Sequence, residues 1–402
     1  MVPDPSPPPV APAAGPVADF PTVGVVGGGQ LARMMLAPAT ALGVGLRVLA
    51  AAPDDPAARV AGAVIGDHRD LATLRSFAAG VDVLTVEHEH VPGEHLARLA
   101  GDGNAVRPGA AALVHAQDKV VMRERLSGLG MPVPRWACAA AIADLELFAE
   151  ETGGPMVVKR RRGGYDGRGV LAVDRPEQAR DAAAQWLATD GTLLLEERVP
   201  FVRELAALAA RSPSGQVALW PVVQTVQTEG ICREVVAPAP GLDDALAGEA
   251  ALVAARLAGE LDVTGVLAVE GFELAPDGDR PRFLVNELAM RPHNSGHWTI
   301  EGSVTSQFEQ HLRAVLDLPL GSVTARDPVT VMVNILGGGH PDLYPAYRHV
   351  LARDPGLHVH LYGKAVRPGR KIGHVTVGGD DLDDLLARAR HAADYIAGTV
   401  LE

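Results

Sequence analysis

Two apolar runs, Gly265-Val-Leu-Ala-Val-Glu-Gly-Phe-Glu-Leu274 and Arg282-Phe-Leu-Val-Asn-Glu-Leu288, flank the segment Pro276-Asp277-Gly278-Asp279-Arg280. This pattern commits the chain to an antiparallel hairpin, because each run has the length of a strand and Gly-Asp suits a two-residue turn. With Gly278 and Asp279 as the turn, Glu270 faces Glu287. Like charges in directly opposed positions are destabilising unless something neutralises them. A divalent cation with oxygen ligands does so, and Asn286 can add a neutral oxygen. Magnesium holding a nucleotide triphosphate is the natural candidate, with manganese as an alternative. The competing reading shifts the register by one residue and sends one carboxylate to the other face.

Directly beyond the hairpin, Arg291-Pro-His-Asn-Ser-Gly-His-Trp298 concentrates a guanidinium, two imidazoles, an amide and a hydroxyl. Such a cluster suits a small oxyanion: the planar fork of Arg291 fits carboxylate, bicarbonate or phosphate, and His293 and Asn294 can orient it. A polar loop with a satisfied core histidine is the plainer alternative.

Bulk properties narrow the field. A chain of 402 residues, 47% hydrophobic, holds two or three domains with a substantial core. The net charge of −13 excludes a broad nucleic-acid or anionic-membrane surface. Cys138 and Cys232 offer neither a disulfide framework nor zinc spacing, which fits a reducing cytoplasm. No apolar run reaches membrane-spanning length, and no signal peptide is expected when the first basic residue is Arg33. Residues 1–20, rich in Pro and Ala, read as a disordered leader.

Thr22-Val-Gly-Val-Val26, Gly27-Gly-Gly29, Gln30 to Ala37 and Leu46 to Leu49 read as a βαβ unit whose helix N-terminus can receive a phosphate. Gly27, Gly29 and Ala32 match the dinucleotide fingerprint, but no acid ends the second strand, so a phosphate-bearing small substrate is favoured over NAD. The strand Val81 to Val86 leads into Glu87-His-Glu-His90, where continued alternation places both glutamates on one face and Glu87 at the strand's carboxyl end. His68-Arg-Asp-Leu71 resembles a kinase loop without its other parts and is set aside.

Past a boundary near Arg107-Pro-Gly109, Asp118 caps a helix from Lys119 to about Leu126. Pro155-Met-Val-Val-Lys-Arg160 then runs into Arg161-Arg-Gly-Gly-Tyr-Asp-Gly-Arg-Gly169, a glycine- and arginine-rich hairpin loop able to close over polyphosphate. It is not a Walker loop. Glu196 and Glu197, at the end of the strand Thr192 to Val199, can accept from an adenine amino group and a ribose hydroxyl. A helix is expected over 243–260.

At this point the residues carry a resemblance. Gly27-Gly-Gly-Gln-Leu31, Lys159 to Gly169, Asn286-Glu-Leu-Ala289, Arg291 to Trp298, Ser306-Gln-Phe-Glu309 and Lys364-Ala-Val-Arg-Pro-Gly-Arg-Lys-Ile-Gly-His374 resemble the ATP-grasp enzymes, specifically the 5-(carboxyamino)imidazole ribonucleotide synthases. The likeness runs from Val23 to about residue 395. It implies a mixed α/β and α+β chain: a leader over 1–20, an N-terminal α/β pre-ATP-grasp domain over 21–115, an ATP-grasp region over 116–325 and a small C-terminal β-rich domain over 326–402. It also implies ATP as cosubstrate, bicarbonate activated as carboxyphosphate, aminoimidazole ribonucleotide as acceptor, and a homodimer without nucleic-acid or membrane partners.

Carried over residue by residue, the resemblance implies that Lys119 and Lys159 contact ATP phosphates, with Gly164, Tyr165, Asp166, Gly167, Arg168 and Gly169 as the lid. Glu196, Glu197, Arg198, Val199, Glu204 and Gln227 hold adenosine, Asn286 lies on the nucleotide, and Glu270 and Glu287 bind metal. Arg291, His293, Asn294 and Tyr165 are catalytic. Gln30, Leu31, Glu87, Tyr165, Asp166, Arg168, Lys364, Arg367 and Arg370 surround the ribonucleotide. Lys364, Arg367, Arg370 and Lys371 also stand out unaided as a cationic run in an acidic protein. Met290, His88 and Gln227 depart from the family's usual Pro, aromatic and His. The rivals are another ATP-grasp enzyme, such as a formate-dependent transformylase or a biotin carboxylase, and a dinucleotide-binding oxidoreductase.

Overall fold

The computed structural model describes residues 20–164, 167–278, 282–340 and 342–400. Tyr165, Asp166 and the turn residue Asp279 lie outside them.

The first sheet is parallel. It is built from β1 (Thr22–Val26), β2 (Gly45–Ala50), β3 (Gly62–Ile65), β4 (Val83–Val86) and β5 (Ala105–Val106), in the order β3-β2-β1-β4-β5. The near-continuous apolar run of β1 is what a strand covered on both faces requires, and Val23, Val25 and Val26 have no exposure. Strand β4 ends at Val86, earlier than alternation through residue 90 requires. Glu87 and Glu89 therefore sit on a loop and go to different partners.

A second, antiparallel sheet contains β6 (Trp136–Ala139), β7 (Met156–Arg160), β8 (Val170–Val173) and β9 (Leu193–Glu197), ordered β6-β9-β7-β8. Its period-two pattern separates two tasks. Met156, Val158, Leu193 and Leu195 pack with Leu145 and Phe148 in one core. Lys159 and Glu196 point the other way and meet at 2.7 Å.

The third sheet takes in β10 (Phe201–Arg211), β11 (Val217–Leu219), β12 (Val223–Thr228), β13 (Ile231–Ala237), β14 (Gly265–Leu274), β15 (Phe283–Ala289), β16 (Val329–Leu336), β17 (His358–Leu361) and β18 (Lys371–Gly379). Its order is β15-β14-β10-β12-β13-β16-β18-β17, with β11 beside β10. The strands of the expected C-terminal β-rich domain extend this sheet, because β13 pairs with β16 from Glu234↔Val333 to Ala237↔Thr330. Val331, Val333, Ile335, Val375 and Val377 turn one face of β16 and β18 toward the C-terminal helix Leu382–Ala397. On the central strands, Leu205, Ala207, Leu267 and Val269 pack on the helix Asp244–Glu260.

Helix Gln307–Val315 joins the first sheet to the third. Its apolar stripe, Phe308, Leu312 and Val315, enters the core of Val23, Val25, Leu31 and Met35. Buried Thr85 and His311 meet at 2.8 Å in the same region. Phe308→Ala should cost about 3–5 kcal/mol through lost burial and the cavity left behind. Urea unfolding followed by far-UV circular dichroism measures this loss.

Candidate active site

Glu270 pairs with Glu287 across β14 and β15, as the turn arithmetic expects, but by a different route. Near the turn, Glu273 pairs with Phe283 and Gly271 with Val285, one residue out of the register implied by a Gly278-Asp279 turn. The register shifts between Glu270 and Gly271, leaving Asn286 as an extra residue on β15. This bulge restores Glu270 to Glu287 and turns adjacent Asn286 and Glu287 toward one cleft, which strict alternation forbids. The cleft has a volume of about 530 Å³.

The charges in this cleft are unbalanced. Burial pushes the Glu270 carboxyl up to about 7, and the nearby Glu287 and Glu204 carboxylates add to the rise. Burial likewise raises Glu204 to about 7. Glu287 is held below its usual range despite burial, because Lys119 and Lys159 stand beside it, Lys119 Nζ at 2.5 Å. Among the described residues no three His, Cys, Asp or Glu side chains form a closed metal cage. Two acidic side chains with an open side fit a hard cation that keeps its remaining positions for phosphate oxygens.

Lys159 Nζ also donates to Asn286 Oδ1 at 2.8 Å. Glu196, expected to contact adenosine, is almost fully buried and receives both Lys159 and the Nε of Arg123. Burial would raise its pKa, but these two cations outweigh it and hold the carboxyl at about 2. Its oxygens are thus spent on placing Lys159. Arg123, whose guanidinium also donates to the Asn286 carbonyl at 2.7 Å, was missed because it lies mid-helix without a motif.

The lid loop differs from expectation in its cations. Arg160 is held by Asp190 at 2.6 Å, and Arg161 and Arg162 turn to Asp118 at 2.7 and 2.9 Å. Asp118 has no exposure and also caps the helix Lys119–Gly128 through Val120 and Val121. Three arginines therefore anchor the loop's base instead of facing the cleft. Gly164 and Gly167 line the cleft, as do Glu197, Arg198, Val199, Glu204 and Gln227. Glu197 is paired with Arg135 at 2.6 Å and Arg198 with Asp174 at 2.7 Å. Gly169 lies just before the return strand β8, its carbonyl accepting from Arg160 N at 2.8 Å. Phe201 and Phe272 stack with centroids 4.8 Å apart and add an apolar wall.

Arg291, His293 and Asn294 reach the same cleft from the far side. Arg291 forms an ion pair with Glu89 at 2.7 Å, a partner 202 residues away that sequence spacing could not supply. His293 is kept neutral: burial, with Arg291 and Lys371 nearby, lowers its pKa to about 3. Gln307, wholly buried, receives the His293 N–H at 2.8 Å and donates to the His293 carbonyl at 2.7 Å, clamping the turn. Asn294 and Asn334 exchange amide bonds of 3.0 and 2.8 Å.

At the first sheet, the glycine turn serves another anion than expected. Glu87 accepts from the N–H groups of Gly29 and of Leu31, the latter at 3.0 Å. A Cβ on Gly27 would lie 2.8 Å from the Glu87 carboxylate, and one on Gly29 would overlap it. The glycines thus make room for an internal carboxylate at the start of the Gln30–Leu42 helix, where a phosphate was expected. Burial raises the Glu87 pKa against these bonds and against Arg291 and Lys364. The basic run is spread out: Lys364 and Arg370 are half-buried, Arg367 is exposed, and Lys371 alone of the run lines the cleft.

Three family models match the chain: a ribonucleotide synthetase preATP-grasp domain over residues 20–117, an ATP-grasp domain over 124–308, and a phosphoribosylaminoimidazole carboxylase C-terminal domain over 330–388. The N5-carboxyaminoimidazole ribonucleotide synthase of Mycobacterium tuberculosis is 56% identical over 381 residues, covering 94% of this chain and 88% of that protein. The one from Corynebacterium ammoniagenes is 47% identical, covering 94% and 93%. Among solved structures, the Aspergillus clavatus N5-carboxyaminoimidazole synthase in complex with ADP and 5-aminoimidazole ribonucleotide superposes with a TM-score of 0.84 at 32% identity, covering 94% and 98%. The Thermus thermophilus enzyme gives 0.82 at 42%, covering 92% and 98%.

Two outcomes follow from this geometry. A cation at Glu270 must displace a proton below pH 7, so affinity should fall as pH falls, about fivefold between pH 7 and about pH 6. Calorimetry of magnesium–ADP binding across that range checks it, and Glu270→Gln should flatten the profile. Gly29→Ala, which forces Glu87 from its N–H donors, should destabilise by about 1–3 kcal/mol in urea unfolding.

Proposed function

The chain belongs to the N5-carboxyaminoimidazole ribonucleotide synthase family of ATP-grasp enzymes, and from that premise we propose how its residues divide the work. Its activity is the ATP-dependent carboxylation of 5-aminoimidazole ribonucleotide, a ligation that forms a C–N bond in purine biosynthesis. A bicarbonate oxygen attacks the γ-phosphorus of ATP, the bond to ADP breaks, and carboxyphosphate is left. This breaks down to phosphate and carbon dioxide, which the exocyclic amine takes up with loss of one proton.

The observation that carries this division is the meeting in one cleft of the Glu270–Glu287 pair, Lys119, Lys159 and the Arg291–Asn294 segment. Lys119 and Lys159 neutralise the triphosphate. Glu204, Glu197 and Val199 hold adenosine, and Glu196 aligns Lys159. Glu270 and Glu287 would hold a divalent cation, magnesium or manganese, which when bound supplies charge neutralisation on the phosphates. Arg291 and Asn294 bind bicarbonate, and His293, uncharged near neutral pH, orients it by hydrogen bonding. Gln30, Leu31, Glu87, Tyr165, Asp166, Arg168, Lys364, Arg367 and Arg370 bind the ribonucleotide.

We divide the chain at about residues 115 and 325, and take the assembly as a homodimer and its compartment as the cytoplasm. Among the described residues no helix is long and apolar enough to cross a membrane. A dinucleotide-binding oxidoreductase fits poorly, since Glu87 already fills the glycine turn.

Magnesium-dependent phosphate release from ATP and bicarbonate, with and without aminoimidazole ribonucleotide, tests the reading. Release should need both partners, and Glu287→Gln should lower kcat/KM by roughly 100-fold or more. ATP turnover indifferent to the ribonucleotide would move the substrate to a sister ligase such as formate-dependent glycinamide ribonucleotide transformylase.

A further inference from the structure

Glu89 stands at the meeting of two sites. Its Oε1 lies 2.7 Å from Arg291 Nε as an ion-pair contact and its Oε2 accepts from Nη2 at 3.2 Å, while Nη1 donates to the Pro292 carbonyl at 3.1 Å. The side chains are about one-fifth exposed, 19% for Glu89 and 21% for Arg291, so the pair is only partly screened by water. With this edge engaged, bicarbonate meets a guanidinium whose charge is already balanced. Two residues earlier, Glu87 is bonded to Gly29 and Leu31 at the end of the first sheet, and one short loop therefore touches both sites.

The loop's backbone is pinned. Gln117 Nε2 donates to the Glu89 carbonyl at 2.9 Å and to the Val91 carbonyl at 2.7 Å. What remains free to change is the side-chain partner of Glu89. The ribonucleotide offers it replacement donors in an exocyclic amine and two ribose hydroxyls, and a carboxylate accepts from either type. Once Glu89 turns to them, Arg291 is left as a partly buried cation without its ion-pair partner, which favours capture of an anion.

We propose that Glu89 is a positioning residue that makes Arg291 available to bicarbonate only when the ribonucleotide is in place, so that ATP is not spent on bicarbonate alone. The proposal rests on the assignment of Arg291 to bicarbonate and of the Glu87 side to the ribonucleotide. It couples two binding events, and such coupling is reciprocal: each substrate tightens the other.

The test is ADP release from ATP, magnesium and bicarbonate by the full-length enzyme, with and without the ribonucleotide, together with carboxylated product formed per ADP. The wild type should be stimulated roughly tenfold or more by the ribonucleotide, a size ordinary for coupled sites. Glu89→Gln keeps the shape and removes the charge. Its ribonucleotide-free ADP release should rise toward the stimulated rate, and product per ADP should fall. Glu89→Asp retains the carboxylate and should recover much of the dependence. If both variants lose rate while keeping the wild-type stimulation and product per ADP, Glu89 is merely structural and the proposal is overturned. A wild type that carboxylates the ribonucleotide but releases ADP equally fast without it overturns the coupling and leaves the function standing. A wild type that forms no carboxylated product overturns the functional reading and the coupling with it.

Discussion

One extra residue in β15 organises the catalytic cleft. A regular hairpin would alternate Asn286 and Glu287 between faces, leaving either the amide or the carboxylate turned away. The bulge puts both on the same side, opposite Glu270, and the neighbouring groups are arranged around that fact. Lys159 bonds the Asn286 amide, Lys119 bonds Glu287, and Arg123 takes the Asn286 carbonyl. Glu196 then locks Lys159 and Arg123 together from the smaller sheet. Three carboxylates, Glu204, Glu270 and Glu287, are concentrated on the cleft, where Lys119, Lys159 and Lys371 stand against them and the Glu270 carboxyl is still pushed up by burial and by the other two carboxylates. That repulsion is the electrostatic demand that a nucleotide-bound cation would satisfy.

Much of this was legible in the chain. The apolar runs around Gly278 fixed the hairpin, the Asp118 cap and Lys119 helix appeared where expected, and the composition of residues 291–298 marked a polar cluster that does line the cleft. The Glu270–Glu287 pairing was read correctly although its premise was not, because a bulge has no reliable mark in one sequence: Asn286 looks like any strand residue. The missed features share a cause. Glu196 looks like an open acceptor until Arg123, 73 residues away, takes it. The lid arginines look cationic until Asp118 and Asp190 neutralise them. Glycine turns advertise room for an anion but do not say whether the anion is a ligand or, as with Glu87, a side chain of the same protein. Partners distant in sequence decide which charged groups remain available.

The buried histidines show the same dependence on packing. His293, His297, His311 and His374 are all held neutral at ordinary pH, chiefly by burial. Their value is as fixed hydrogen-bonding groups: His311 ties β14 to β4 through the Val266 N–H and Thr85, and His374 bonds the Tyr362 hydroxyl at 2.8 Å. A cleft built this way keeps its shape while the mobile charges of the substrates come and go.

The hydrogen bonding of β13 to β16 has a further consequence for how this chain can be cut or recombined. Three sequence-defined modules suggest three exchangeable parts, but the second and third share a single ladder. Ending the polypeptide between them would strip β13 of its neighbour along Glu234–Ala237 and open a row of unpaired backbone groups with Val235 and Val236 beside it, the kind of naked edge that recruits other chains. The C-terminal strands would be left with the opposite half of the same seam. The two modules therefore form one structural unit with two sequence signatures.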